Sequence, residues 1–307
     1  MQEPLNVTVL GAGLMGHGIA QVFAAFGHSV VISDPDHDVL ANVHGRIEAN
    51  LRNMDRAPEP VLANVKVTAQ MTAAVEFADV IVEAAPERLE LKRKLLSEAA
   101  ARAPSHAILA SNTSVIPITH IGEDLPLAAR ARLVGTHWWN PPYLVPLVEV
   151  VRTEYTDLSV FEKMFELLRR VGKRPVKVHR DITGFIGNRL QYALWREAFS
   201  LIESGVCDAE TIDTVVKNGF GMRFPVLGPM ENADLIGLEL ARDIYGIVVP
   251  DLSCAQPPSR LLSERIEEGR LGMKSGEGLR VWTSEESSEV RRRLSEHLVN
   301  MLARGPA

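Results

Sequence analysis

The stretch Gly11-Ala12-Gly13-Leu14-Met15-Gly16 constrains this chain more than any other. An apolar run, Asn6 to Leu10, precedes it and reads as a strand. A helical run follows, Leu14 to about Phe26, with Ala20, Phe23 and Ala24 on its inner face. Gly27 ends that helix, and Ser29 to Ser33 reads as a second strand closing on Asp34. In the order strand, G-x-G-x-x-G turn, helix, strand and acid, the glycines acquire a physical role. The first permits the tight turn, the second lets the backbone approach a pyrophosphate, and the third lets helix and strand pack closely. The phosphates fit the helix N-terminus, where free N–H groups and the helix dipole favour anions. Asp34 stands eighteen residues after Gly16 and suits the adenosine ribose hydroxyls. It would repel a 2′-phosphate, and Pro35, Asp36 and His37 supply no Arg to receive one, so the expected cofactor is NAD rather than NADP.

Beyond Asp34 the chain keeps alternating. Val39 to Met54 has helical spacing, Asp55 to Glu59 is a Pro-flanked loop, and Val65 to Thr68 reads as a strand. Ala78 to Glu83 is a further strand, followed by the loop Ala84 to Glu87 and an amphipathic helix from Leu89 to Ala101. Ala107 to Ala110 empties into Ser111-Asn112-Thr113-Ser114, and Val134-Gly135 lead into His137. This alternation predicts an α/β, Rossmann-type, doubly wound and mostly parallel sheet with helices on both faces. Ligands bind outside the carboxyl ends of such strands. Gly11, Asp34, Glu87, Ser114 and His137 all fall just after strands and should converge there. Taken alone, Ser114 in a Ser-Asn-Thr-Ser run reads as a helix or turn cap.

Thr136 to Val151, THWWNPPYLVPLVEVV, sets His137 twelve residues before Glu149. Pro141-Pro142 turns the chain, and Val145 to Val151 reads as a buried strand crowded around one carboxylate. Such a carboxylate is costly unless paired. A histidine returned by the turn is the obvious partner, and the two together have the layout of a general base with its orienting group. In isolation the same residues fit a core histidine and an edge-strand charge.

The 307 residues suggest two domains, expected as 1–181 (NAD-binding) and 182–307 (all-helical, for substrate binding and dimerisation). In the second, Ile186 to Ser204, Asp208 to Asn218 (with Asp208 as cap), Glu231 to Ile247 and Ser259 to Gly269 read as helices. Their leftover apolar faces suit a homodimer. Arg223 fits a substrate carboxylate or a structural ion pair. The net charge of −6 argues against nucleic-acid or anionic-membrane partners. No apolar run reaches membrane-spanning length, and the N-terminus lacks a signal pattern. Cys207 and Cys254 show no metal spacing and suit a reducing compartment, so a cytoplasmic protein with no metal site is expected.

With these pieces in place, the chain resembles the L-3-hydroxyacyl-CoA dehydrogenase family. The matching stretches are GAGLMG at 11–16, EAAPE at 83–87, ASNTS at 110–114, HWWNPP at 137–142, PLVEVV at 146–151, GFIGNR at 184–189 and LGMKSGEG at 271–278. They keep the family's order over almost the whole chain. NRLQYA at 188–193 and GMRF at 221–224 look more like the L-gulonate 3-dehydrogenase (lambda-crystallin) branch. The resemblance implies hydride transfer between NAD and a 3-hydroxy or 3-keto acyl substrate, with a place in fatty acid metabolism. It implies that His137 is the base, that Glu149 stabilises its imidazolium, and that Ser114 and Asn188 hydrogen-bond the reacting oxygen. Gly11, Ala12, Gly13, Leu14, Met15, Gly16 and Asp34 would hold the adenosine and pyrophosphate. Glu87, Lys92, Asn140 and Lys274 would line the nicotinamide half. Without the resemblance, Lys92 and Lys274 read as solvated lysines.

The chain departs from the pattern at two places. The acyl-CoA branch inserts a helical hairpin that helps hold CoA, whereas Asn50 to Lys66 is short and Pro-rich here. A free hydroxy acid of the L-gulonate kind, or a small aldehyde-carboxylate, would not need that surface. Trp138-Trp139 replaces the Phe residues common after this histidine, which fits either a narrower pocket or core packing. A catalytically idle NAD-binding protein is the alternative of a different class. The presence of Ser114, His137, Glu149 and Asn188 together favours the enzyme.

Overall fold

The computed structural model describes residues 3–303, so Met1, Gln2 and 304–307, which belong to the N-terminal reading and to the end of the second expected domain, lie outside the described residues. The chain divides into two compact units, Met1–Asn188 and Arg189–Ala307. In the first, chain order runs β1 (Asn6–Leu10), α1 (Leu14–Ala25), β2 (Ser29–Ser33), α2 (His37–Ala41), α3 (Val43–Arg52), α4 (Glu59–Leu62), β3 (Val65–Thr68) and α5 (Met71–Val75). It continues with β4 (Val80–Glu83), α6 (Leu89–Arg102), β5 (Ile108–Ser111), α7 (Ile118–Ile121), α8 (Leu127–Arg130), β6 (Leu133–Trp138), β7 (Leu147–Val151), α9 (Leu158–Arg170) and β8 (Arg174–Val178).

The eight strands form one sheet in the order β3-β2-β1-β4-β5-β6-β7-β8. Every neighbouring pair is parallel except β6 and β7. The strand order reverses between β1 and β4, which makes the crevice above them the switch point where α/β sheets bind ligands. Burial on both faces follows from the period of two: Val80 and Val82 pack into one core with Phe23, Ile47 and Phe161, while Ile81 packs into the other with Leu96 and Ile118. On α9 the stripe Phe161, Met164 and Leu168 is closed to water, each side chain contributing about 1.5–3 kcal/mol by burial.

The expected helix Val39 to Met54 is two helices broken at Asn42, whose side-chain amide donates to Asp38 O at 2.7 Å. Such local bonding by Asn competes with helix continuation. The expected loop Asp55 to Glu59 gives way at Glu59 to the one-turn α4, with Asp55 itself in the left-handed region at φ 53°. Between α3 and β3 the described residues hold no long helical hairpin. The final strand starts at Arg174 and includes Pro175, which β8 tolerates because it is the sheet edge.

The second unit is helical: α10 (Gly187–Glu203) runs into it, followed by α11 (Ala209–Asn218), α12 (Pro229–Ile236), α13 (Leu238–Val248), α14 (Arg260–Glu267) and α15 (Ser284–Ala303). Asp208 caps α11 by accepting from Thr211 N at 2.8 Å, as its position suggests. Glu231 to Ile247 is not one helix, because Gly237 adopts φ 92° and divides α12 from α13.

Candidate active site

The glycine turn has the shape its spacing demands. A Cβ at Gly16 would lie 1.8 Å from the Gly11 carbonyl oxygen, so only glycine allows α1 to leave the turn this closely. At Gly13 a Cβ would meet nothing within 4 Å, which leaves an open approach beside the first turn of α1. That turn contains no acidic residue and no side-chain cap, so its N–H groups are available to an anion. Asp34 is anchored beside it, Oδ2 accepting from Ala12 N at 2.8 Å and Oδ1 from Asp36 N at 3.0 Å. An open, uncapped cradle with a fixed carboxylate at the end of β2 fits a dinucleotide.

On the other side of the switch point, Glu83 and Glu87 organise the ends of β4 and β5. Glu83 is fully buried, with Oε1 accepting from Ala85 N at 2.7 Å and Lys92 Nζ at 2.9 Å, and Oε2 from Ser111 Oγ at 2.5 Å. Lys92 is therefore no solvated lysine: it is 1% exposed and also donates to Ala85 O at 3.1 Å. Its ammonium lies 3.3 Å from Glu87 Oε2. Glu87 Oε1 in turn accepts from Thr113 Oγ1 (2.6 Å), Ser114 N (2.9 Å) and Val115 N (3.0 Å). Burial alone would raise the Glu87 pKa, but the Thr113 hydroxyl, the Lys92 charge and the two amides outweigh it and hold the carboxyl below its ordinary value.

His137 and Glu149 sit opposite each other in the β6–β7 ladder, the antiparallel reversal that the double proline allows. His137 Nδ1 lies 2.7 Å from Glu149 Oε2, with both side chains closed to water. The other carboxylate oxygen accepts from Ile186 N at 2.8 Å and Gly187 N at 3.0 Å. Those amides are aimed by two successive left-handed residues, Gly184 at φ 73° and Phe185 at φ 49°, the second costing on the order of 1 kcal/mol in a non-glycine residue. Burial pushes Glu149 upward, but the His137 hydrogen bond and the Gly187 and Ile186 amides reverse that and leave it below the ordinary value. An ionised Glu149 accepts a hydrogen bond from Nδ1–H, which makes Nε2 the basic nitrogen. The Trp139 and Phe185 rings flank the imidazole at centroid distances of 5.3 and 5.7 Å.

Asn188 Nδ2 donates to Ser114 O at 2.8 Å, bringing together two of the residues singled out in the sequence. Asn140 is exposed in the turn after β6. Lys274 lies in the second unit, in the wall of a cavity of about 680 Å³ that Arg265, Arg280 and Trp282 also line. The sequence reading missed Asn112, whose Oδ1 accepts from Trp138 N at 2.9 Å and ties the end of β5 to β6. It also missed Glu83, which it recorded only as a strand-ending acid.

Comparison with known proteins carries the assignment further. Residues 6–182 match the family described as 3-hydroxyacyl-CoA dehydrogenase, NAD binding domain, and residues 184–282 match its C-terminal domain. The chain belongs to the 3-hydroxyacyl-CoA dehydrogenase family. It is an NAD-dependent dehydrogenase by that membership, and the cradle above suits the cofactor. Among its relatives, the mitochondrial hydroxyacyl-coenzyme A dehydrogenase of Rattus norvegicus is 36% identical over 288 residues, covering 89% of this chain and 90% of that one. A crystal structure of 5-formyl-3-hydroxy-2-methylpyridine 4-carboxylic acid 5-dehydrogenase, described as an NAD+-dependent dismutase, superposes with a TM-score of 0.90 at 30% identity, covering 99% and 100% of the two chains. The 3-hydroxyacyl-CoA dehydrogenase of Archaeoglobus fulgidus superposes with a TM-score of 0.71 at 32% identity, covering 97% and 99%. No helix among the described residues is long and apolar enough to cross a membrane.

Proposed function

We propose that this dehydrogenase interconverts a hydroxyl carbon and a carbonyl carbon in a 3-hydroxy or 3-keto acyl substrate, with His137 as the base. The observation that carries this is the buried 2.7 Å contact between His137 and an ionised Glu149. His137 Nε2 takes the hydroxyl proton while the C–H bond on the same carbon breaks. When bound, the nicotinamide ring accepts the hydride, or supplies it in the reverse direction. Glu149 fixes the tautomer and stabilises the imidazolium, and its two backbone amides keep it ionised while it does so. Ser114 and Asn188, joined by the 2.8 Å bond from Asn188 Nδ2 to Ser114 O, position the reacting oxygen. Glu87, held by Lys92, the Thr113 hydroxyl and the Ser114 and Val115 amides, would face the nicotinamide half, with Asn140 at its rim.

A second substrate reading is favoured by a specific observation. Between α3 and β3 stands only a loop and the one-turn α4, which offers little surface to a CoA moiety. A free hydroxy acid, or a small aldehyde-carboxylate like that named for the relative with the TM-score of 0.90, needs no such surface. The test is NADH oxidation with acetoacetyl-CoA beside free acetoacetate at equal concentration. A strong preference for the ester supports the acyl-CoA substrate and a role in fatty acid metabolism. No turnover of the ester moves the assignment to the free acids, with L-gulonate and NAD as the next pair.

The active form we propose is a homodimer. Helices α10 to α14 contain no buried residue, while Phe224, Met230, Leu235 and Ile247 are exposed on them or beside them. The free thiols Cys207 and Cys254 agree with a cytoplasmic setting.

A further inference from the structure

The adenosine side of the dinucleotide site is acidic. Asp34, Asp36 and Asp38 follow β2 within five residues, and Asp34 is bonded to the glycine turn itself. A pyrophosphate brought to this corner meets like charge, against which the uncapped N-terminus of α1 offers only a partial positive charge. The sequence places no cation at positions 35–37. The fold brings one from elsewhere: Arg46, in the middle of α3, reaches the turn and donates from a terminal guanidinium nitrogen to Ala12 O at 3.4 Å.

Three features distinguish this arginine from a structural tie. Arg46 is exposed and has no carboxylate partner among the described residues, so its remaining N–H donors stay available. It stands at the same turn whose Gly13 position is open to approach. Next to it, His17 is buried in α1 with Nδ1 on Gly13 O at 2.7 Å. Burial, with a smaller contribution from the Arg46 charge, keeps that imidazole below its ordinary pKa. A neutral His17 bonds Gly13 O, and Arg46 bonds Ala12 O. In planar trans peptides the N–H of the next residue points away from such an oxygen, so the two contacts hold the Gly13 and Leu14 amides in fixed directions. Arg46 carries the full charge that those amides lack.

We propose that Arg46 is a phosphate-binding residue of the dinucleotide site, recruited from α3 to offset the acidic β2–α2 corner. The proposal rests on the dinucleotide reading of the glycine turn. A guanidinium that adds a charge-assisted hydrogen bond to a partly exposed phosphate changes affinity by about tenfold.

The test is calorimetric titration of the full chain with NADH, ADP-ribose and adenosine, in wild type, Arg46→Gln and Arg46→Lys. Glutamine removes the charge and is too short to keep the bond to Ala12 O, whereas lysine keeps the charge. Arg46→Gln is expected to weaken NADH and ADP-ribose about tenfold and leave adenosine unchanged, while Arg46→Lys keeps most of the affinity. Wild-type ADP-ribose binding should also fall more steeply with salt than that of Arg46→Gln. Wild-type affinity for ADP-ribose in Arg46→Gln, or an equal loss for adenosine, would overturn the proposal. If the wild type bound none of the three, the dinucleotide site itself would fall, and Arg46 with it.

Discussion

Lys92 Nζ lies 2.9 Å from Glu83 Oε1, and neither side chain is more than 1% exposed. The pair joins the end of β4 to the first turns of α6, and Glu83 passes the connection to β5 through Ser111. Burial of this kind makes both charges depend on each other, because a lone ammonium or carboxylate at that depth is far costlier than the pair.

Lys92→Met should lower stability by about 3 kcal/mol, since it strands the buried Glu83 carboxylate, and Glu83→Gln by less, since Lys92 keeps Glu87 at 3.3 Å. The double variant Glu83→Gln/Lys92→Met should lose much less than the sum. Thermal or urea unfolding of all four proteins gives the coupling directly. Additive losses would show that the two charges do not sense each other.

The folded pKa of Glu149 is lowered, so its contribution to stability is fully present above the ordinary value of 4.5 and is lost as the pH falls through the folded value. The wild type should therefore lose melting temperature on acidification from about pH 5 downward, and Glu149→Gln should show a shallower slope over the same range. Melting curves across that range decide it. Identical slopes would mean that the fold does not lower the Glu149 pKa.

Lys173 gives a slope of the same sign in the alkaline range. Its ammonium is buried against the carbonyls of Pro142 and Val145, with the Trp138 ring 5.4 Å away, and burial lowers its pKa from 10.5 to about 8. Between those values the unfolded chain binds the proton and the folded chain does not, so stability rises with pH through that window. The gain is on the order of 3 kcal/mol. Lys173→Met should abolish this alkaline gain, as stability measured at several pH values will show.

Gly187 is pressed between Trp139 and Glu149. A Cβ there would lie 2.4 Å from Trp139 Cζ2 and 3.4 Å from Glu149 Oε2. Gly187→Ala should displace Trp139 beside His137, lower stability by about 1–3 kcal/mol and reduce turnover. Adding Trp139→Phe should restore part of the loss. If it restores nothing, the indole is not what the methyl displaces.

How much of this was readable in advance depends on the range of the interaction. The glycine turn and Asp34 are local in sequence, and their spacing alone implies the cradle. His137 and Glu149 were readable for a similar reason: two prolines separate two apolar strands, so the register that opposes them is short-range information. The amides of Ile186 and Gly187 were not readable, because their direction depends on a left-handed Phe185, which no phenylalanine advertises. Lys92 read as solvated because helical spacing says nothing about a carboxylate waiting on a strand nine residues earlier. Arg46 was invisible for the same reason: thirty-four residues separate it from Ala12. The break at Gly237 was missed because the apolar spacing of Leu235, Leu238 and Leu240 continues across a residue whose φ does not.

The most direct measurement is turnover of His137→Gln with whichever of acetoacetyl-CoA or acetoacetate the wild type reduces, run beside NADH binding by fluorescence. A base in the His137 position predicts a loss of about 100-fold to 10,000-fold in turnover with NADH affinity unchanged. Turnover at the wild-type rate in a variant that still binds NADH would contradict the role of His137 and, with it, the mechanism built on the Glu149 pair.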